Sequence, residues 1–405
     1  MNATSRDNTH SGQSPRVSVV IAVHNGGDDL DRCLAAVAAS TFTDLEIIVV
    51  DDRSTDGMTV PAAGRHGARV ISLDRQCGPA IARNRGAAEA RGDILFFTDA
   101  DVELHADSVA VAVHSLQGDD GLSAVFGSYD DQPSDAAFLS QYRNLYHHWV
   151  HQTGREEAST FWTGCGAIWR EVFLYMGGFA QDYAKPSIED IELGSRMRQE
   201  GLRIRLEKSM LGKHMKRWRF WNLLKTDVLR RGVPWMSLVL RNRGAARDLN
   251  LDLKSRLATL TAVAFSLCFL VLPLAGHAAA VWPATVLLAA AVLGAVLYRR
   301  AGQGAGPGAI ALALALLLTA LAYLLAPDPW AALPLGLVLL LAAIQRLFFR
   351  YCADRRGLAF ALAVLPLQML FFIGCAVAVP LALVGHVLSG RFHAAGGAVA
   401  AGNDD

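Results

Sequence analysis

Apolar residues follow two different rhythms along this 405-residue chain. In the first half they form short, β-branched runs separated by turn formers. VSVVIAV at 17–23 opens into HNGG, LEIIVVDD spans 45–52, ARVISLD spans 68–74 and GDILFFTDAD spans 92–101. Short runs that are apolar throughout, without alternation, predict strands buried on both faces. Between the first two, Leu30, Cys33, Leu34 and Val37 have helical spacing, and Ser40 to Asp44 ends that segment. Strand and helix alternate, which predicts an α/β fold with a doubly wound, mainly parallel sheet and ligands at the carboxyl ends of the strands.

The second rhythm begins near residue 257. Apolar stretches at 257–276, 279–298, 307–326 and 330–349 each approach the ~20 residues a helix needs to cross ~30 Å of hydrocarbon. A fifth runs from Leu358 to Leu388, long enough to span with a tilt, with Pro366 and Pro380 as points where it could instead break into an interfacial piece and a crossing. The expectation is an all-α transmembrane region of four to five helices. Arg299 and Arg300 follow the second stretch, and Arg350, Arg355 and Arg356 follow the fourth, whereas the turns around His277 and Asp328 carry no Lys or Arg. That asymmetry puts the first half of the chain in the cytosol, on a multi-pass protein of the inner membrane.

Composition sharpens this division. The whole chain is 52% hydrophobic and 19% charged, with a mean hydropathy of +0.28. From Leu257 onward there are only eleven charged residues in 149 positions, and no Lys or Glu. A single soluble domain, a disordered chain and a pure transporter are thereby excluded. The expected parts are a disordered leader at 1–15, an α/β domain at 16–212, basic amphipathic interfacial helices at 213–255, a transmembrane region at 256–390 and a tail at 391–405. The leader lacks the apolar core of a signal peptide, in keeping with a cytosolic front half. A net charge of +1 argues against nucleic acid as a partner. Six cysteines without a CxxC pair read as free thiols, and Cys165 as a small filler. Residues 213–247 hold ten Lys or Arg against Asp227 alone, interleaved with Trp218, Phe220, Trp221, Trp235 and Met236. Directly before an apolar span, such a segment suits an anionic inner leaflet. Oligomeric state is not encoded in any of these patterns.

Candidate chemistry lies in three acidic clusters. Asp51–Asp52 and Asp99–Ala100–Asp101 close strands, and Glu189–Asp190 open a helix. Each has a plain structural reading as a turn, a helix cap or a first-turn acid favoured by the helix dipole. Together at a sheet rim, like charges call for a cation or a ligand. Alternation along an extended chain would point Asp99 and Asp101 to one side, and all-oxygen ligands favour Mg2+ or Mn2+ over Zn2+.

The runs VSVVIAVHNGG, LEIIVVDDRSTDG, GPAIARNRGAAEARGDILFFTDAD, FWTGCGAIWREVF, GGF and SIEDIELGSRMRQEG resemble, in order and over about 200 residues, the inverting family 2 glycosyltransferases of GT-A fold. The resemblance implies that Asp51 or Asp52 contacts the donor nucleobase, that Arg83, Asn84 and Asp99 lie at the nucleotide, and that Asp99 and Asp101 hold the metal. It implies that Glu189 and Asp190 are the catalytic pair, with Asp190 the general base, in an inverting displacement. Trp162, Gly164, Cys165 and Gly166 would line the acceptor side. The run from His214 to Trp218 resembles the QxxRW motif of membrane-bound polysaccharide synthases, with His in place of Gln. Arg217 and Trp218 would then face the acceptor, and His214 becomes a candidate third metal ligand. The implied protein moves a sugar from a nucleotide-sugar donor to a lipid or lipid-linked acceptor at the cytosolic membrane face. Rivals are a processive polysaccharide synthase with an export channel and a catalytically silent nucleotide-sugar-binding scaffold. A nicotinamide-dependent oxidoreductase is disfavoured because the first strand leads into HNGGDD and not GxGxxG.

Overall fold

A computed structural model describes residues 15–182, 186–241, 252–289, 317–322, 324–325 and 327–400. Nearly all of the expected leader, and much of the stretches at 279–298 and 307–326, lie outside the described residues. The chain divides into two compact units, Met1–Ser128 with Glu156–Lys213, and Tyr129–Arg155 with His214–Asp405.

The first unit is built on one mixed sheet. Its strands are β1 (Val17–Val23), β2 (Leu45–Asp51), β3 (Arg69–Ser72), β4 (Ile94–Asp99), β5 (Val102–Leu104), β6 (Leu122–Tyr129), β7 (Glu157–Ala158), β8 (Cys165–Trp169) and β9 (Arg203–His214). They run in the order β3-β2-β1-β4-β8-β6-β9-β5, with β7 beside β9. The first four are parallel, and β8 then pairs antiparallel to both β4 and β6. This is the α/β architecture anticipated from the alternating runs. Val19, Val20 and Ile21 of β1 are wholly buried, as expected of a strand covered on both faces. Register fixes the chemistry: Val23 pairs with Asp51 of β2 and Ala22 with Asp99 of β4. Two of the acidic clusters thus end at the same rim, on either side of β1.

Helix Pro79–Glu89 lies directly on this sheet. A Cβ at Gly86 would meet Val20 Cγ1 at 2.5 Å, so only glycine permits the approach. Phe97 of β4 packs against Phe173 and Phe179 at ring separations of 5.3 and 5.2 Å, holding the GGF segment under the rim.

The second unit is helical. Phe138–Thr153, Phe220–Lys225, the π-helical turn Thr226–Gly232, Val233–Arg241, Leu253–Leu274, Ala332–Ile344, Arg346–Arg356 and Leu358–Ala400 are its main described helices. Tyr142, Tyr146, Trp218, Phe348 and Phe360 share one apolar core. Leu253–Leu274 and Leu358–His386 are long and apolar enough to span a membrane, each with a mean hydropathy of 2.3. Two expectations are corrected. The stretch at 330–349 is not one straight helix, because Pro329–Ile344 and Arg346–Arg356 meet at a 72° bend. Pro366 and Pro380 do not divide the last stretch either, since Leu358–Ala400 continues through both. Each proline withdraws a single amide donor, a loss that an apolar helix packed among neighbours tolerates.

Candidate active site

Arg83 is the centre of the charged cluster in the first unit. Only 6% exposed, it donates from one terminal nitrogen to Glu189 Oε1 at 2.8 Å and from the other to Asp99 Oδ1 at 2.6 Å. The Phe179 ring lies 5.9 Å from its guanidinium carbon. A planar guanidinium suits this double task, since it holds two carboxylates in fixed directions. Residues 83 and 99 of one run and 189 of another are thereby joined.

Asp190 lies beside this clamp. Its Oδ2 accepts from the Thr163 amide at 3.2 Å and the Thr163 hydroxyl at 3.3 Å, and its Oδ1 from the Ile191 amide at 2.8 Å. Burial first, and the neighbouring Glu189 charge second, push the Asp190 carboxyl up to about 6, against the opposing pull of Arg83 and the amides of Thr163 and Ile191. A carboxylate with its proton affinity raised this far is a better base near neutral pH than an ordinary aspartate. Glu189 is differently placed: its Oε2 accepts the Ser187 amide at 3.0 Å and its other oxygen is bound to Arg83.

At the β2 end, Asp52 accepts the Cys77 and Gly78 amides at 2.6 and 2.8 Å, one on each oxygen, and so fixes the entry to helix Pro79–Glu89. Asp51 accepts the Ser54 amide at 2.8 Å through Oδ1. Asn25, with a left-handed φ of 56°, ties the HNGG turn to the DRSTDG turn by accepting the Thr55 amide at 2.7 Å. Asn84 makes a two-way pair with the Phe179 main chain, at 2.8 and 2.9 Å, which anchors the GGF turn.

The β4 strand ends at Asp99, and Asp101 lies in the turn that follows, so strand alternation does not govern this pair. A negative field is nevertheless present. Burial, and next the charge of Asp101, push the neighbouring Asp29 carboxyl above its ordinary range. Oxygen donors in a field that raises a neighbour's proton affinity fit a hard divalent cation. Among the described residues no three His, Cys, Asp or Glu side chains group as a metal site.

Trp162 is partly buried and Cys165 wholly buried. A Cβ at Gly164 would sit 2.2 Å from the Trp162 ring, so the glycine lets this indole lie on the backbone. Gly166 is closed off too, with the Trp162 carbonyl 2.2 Å from where its Cβ would stand. His214, Arg217 and Trp218 belong to or adjoin the helical unit. His214 is buried and stacks on Tyr129 at 4.1 Å with the rings 9° from parallel. Arg217 is exposed. Trp218, expected on the acceptor side, is instead 5% exposed within the helical core, with its amide donating to Ser140 Oγ at 2.8 Å. An indole so enclosed has no face left for a sugar.

Sequence reasoning missed the Arg83–Glu189 bridge and the Asn25 linkage. Neither has a local signal, although the HNGG and DRSTDG turns that carry the second were visible.

This mixed α/β sheet, with carboxylates along one rim, has a GT-A-like fold. Residues 18–175 match the model of Glycosyl transferase family 2. The uncharacterized glycosyltransferase YibD of Escherichia coli is 36% identical over 93 residues, which is 22% of this chain and 27% of that protein. Glycosyltransferase AglE of Haloferax volcanii is 32% identical over 122 residues, 29% of this chain and 40% of that protein. The chain therefore spans well under half the length of these relatives. The mannosyltransferase PcManGT from Pyrobaculum calidifontis, solved in complex with GDP-Man and Mn2+, shares the fold with a TM-score of 0.51 at 20% identity, over 91% of this chain and 88% of that one.

Proposed function

We propose that this protein is a membrane-anchored, inverting glycosyltransferase that uses Mg2+ or Mn2+ to pass a sugar from a nucleotide-sugar donor to a lipid or lipid-linked acceptor at the cytosolic face of the inner membrane. The observation that carries the reading is Asp190, a carboxylate held by the Thr163 and Ile191 amides with its proton affinity raised to about 6, beside the Arg83–Glu189–Asp99 clamp.

In this reading Asp190 takes the proton of the acceptor hydroxyl while that oxygen bonds to the anomeric carbon. The bond from that carbon to the diphosphate oxygen breaks, and the configuration inverts. Arg83 and the Ser187 amide each occupy one Glu189 oxygen, which leaves Asp190 as the carboxylate of the pair that serves as base. Asp51 or Asp52, at the end of β2, would contact the nucleobase. Asp99 and Asp101 would hold the cation, which supplies charge stabilisation to the departing diphosphate. The GDP-Man and Mn2+ bound to PcManGT support a nucleotide sugar and a divalent ion as the ligands of this fold. Leu253–Leu274 and Leu358–His386 support the membrane anchor.

The test is to incubate the detergent-solubilised protein with a panel of sugar nucleotides and host lipids and to weigh the products. The expected result is a glycolipid one sugar heavier, lost in excess chelator and restored by Mn2+, with Asp101→Ala deaf to added metal. No transfer from any donor, or full activity in chelator, would overturn the reading or its metal part respectively.

A further inference from the structure

Three segments of the helical unit converge on a cavity of about 370 Å3, within the size range of small-molecule sites. They are the end of Phe138–Thr153, the start of Leu253–Leu274 and the bend at Gln345. Its apolar wall includes Tyr146, Trp149, Ile344 and Phe348. The lining also holds the cations Arg155, Lys254 and Arg346 and the hydroxyls of Thr153 and Ser255.

The charge is unbalanced. Asp252 is the one carboxylate in the lining, and its Oδ1 accepts the Ser255 amide at 2.8 Å as a helix cap. Three cations against one carboxylate leave an excess of two positive charges. Among the described residues Arg155 and Lys254 have no ion-pair partner, and Arg346 reaches only the Ala343 carbonyl, at 3.4 Å. Elsewhere in this unit a basic side chain can be well matched, as Arg143 is with Asp227 at 2.8 Å. Unmatched cations around a half-open cavity call for an anion, and the aromatic wall calls for an apolar body attached to it.

We infer that this cavity binds the phosphate headgroup of an anionic lipid from the cytosolic leaflet. Leu253–Leu274 turns from Lys254 and Arg256 into an apolar run, and the 72° bend puts Arg346 and Arg350 just past the apolar Ala332–Ile344. Both segments change character at the cavity, as they would at the level of headgroups, where each Lys or Arg adds to the attraction for anionic lipid. The inference rests on the proposed membrane anchoring and is independent of sugar transfer.

The full-length protein is reconstituted in nanodiscs of phosphatidylcholine with or without phosphatidylglycerol, and retained lipids are counted by native mass spectrometry. Phosphatidylglycerol should be retained about tenfold over phosphatidylcholine, and R155Q/K254Q/R346Q should lose that preference while R350Q keeps it. These side chains are exposed, and an unchanged thermal midpoint verifies folding; K254E alone, read in the same assay, should lower retention severalfold. Equal retention of the two lipids, or an unaltered preference in the triple variant, would overturn the inference. Complete displacement by millimolar glycerol 3-phosphate would assign the cavity to a soluble phosphate and overturn the lipid part. Resistance of the protein to carbonate extraction from native membranes reports separately on the anchoring.

Discussion

The charged centre of the α/β unit and the aromatic core of the helical unit treat their buried polar groups differently. In the α/β unit the buried charges are bound on several sides: Arg83 by Asp99 and Glu189, Asp52 by two amides, Asp190 by Thr163 and Ile191. In the helical unit Tyr142 Oη, Tyr351 Oη, Trp218 Nε1 and both polar atoms of Gln368 are buried with no hydrogen-bond partner among the described residues. The first arrangement costs desolvation and returns fixed directions, which is what a reacting centre needs. The second leaves cohesion to aromatic contact, such as the edge-on pairs of Tyr146 with Phe348 and Phe371 at 5.2 and 5.0 Å. These four side chains of the helical unit thus contribute bulk to its packing and no polar direction.

The strongest way to break this contrast is Asp190→Asn. The amide keeps the size and loses the proton affinity, so turnover should fall by roughly 10²-fold to 10⁴-fold with donor binding retained; a steady-state assay with unchanged kcat would remove Asp190 from the chemistry. Next comes Arg83→Met, which strands Asp99 and Glu189 without their cation. A destabilisation of about 3 kcal/mol is expected in denaturant unfolding, and Arg83→Lys should recover only part of it because an ammonium cannot fork to both carboxylates. A smaller effect comes from acid. Asp190 acts as a base only when ionised, so kcat/KM should drop about tenfold per pH unit below about 6 and level off above it; a pH profile flat from 5 to about 8 would contradict the assignment. The smallest is Gln368→Leu in the helical unit. Removing an unpartnered buried amide should leave stability unchanged or raise it by about 1 kcal/mol, read as the thermal midpoint in detergent.

How much of this was written in the sequence depends on distance along the chain. The four parallel strands were legible because each is a local apolar run, and β1 begins and ends where VSVVIAV does. The rim acids were legible because strands end where acids begin. The Arg83–Glu189 bridge was not, since it joins residues 106 apart and neither run hints at the other. Trp218 was misplaced for a different reason: an aromatic next to an arginine reads the same whether the ring stacks on a sugar or fills a core, and only its neighbours Tyr142 and Phe348 decide. In the helical half, hydropathy averages over a window, so it registers apolar length and is blind to the turn of direction at Gln345.

Gly86 has a last consequence. Because the backbone of helix Pro79–Glu89 at Gly86 rests directly on the Val20 and Val50 side chains of β1 and β2, the reach of Arg83 toward its two carboxylates is calibrated by the strands and not by the connecting loops. Changes in the turns around HNGG or DRSTDG would therefore leave the ionic clamp in adjustment. A single methyl at position 86 would act as a shim under that lever and throw it out of true.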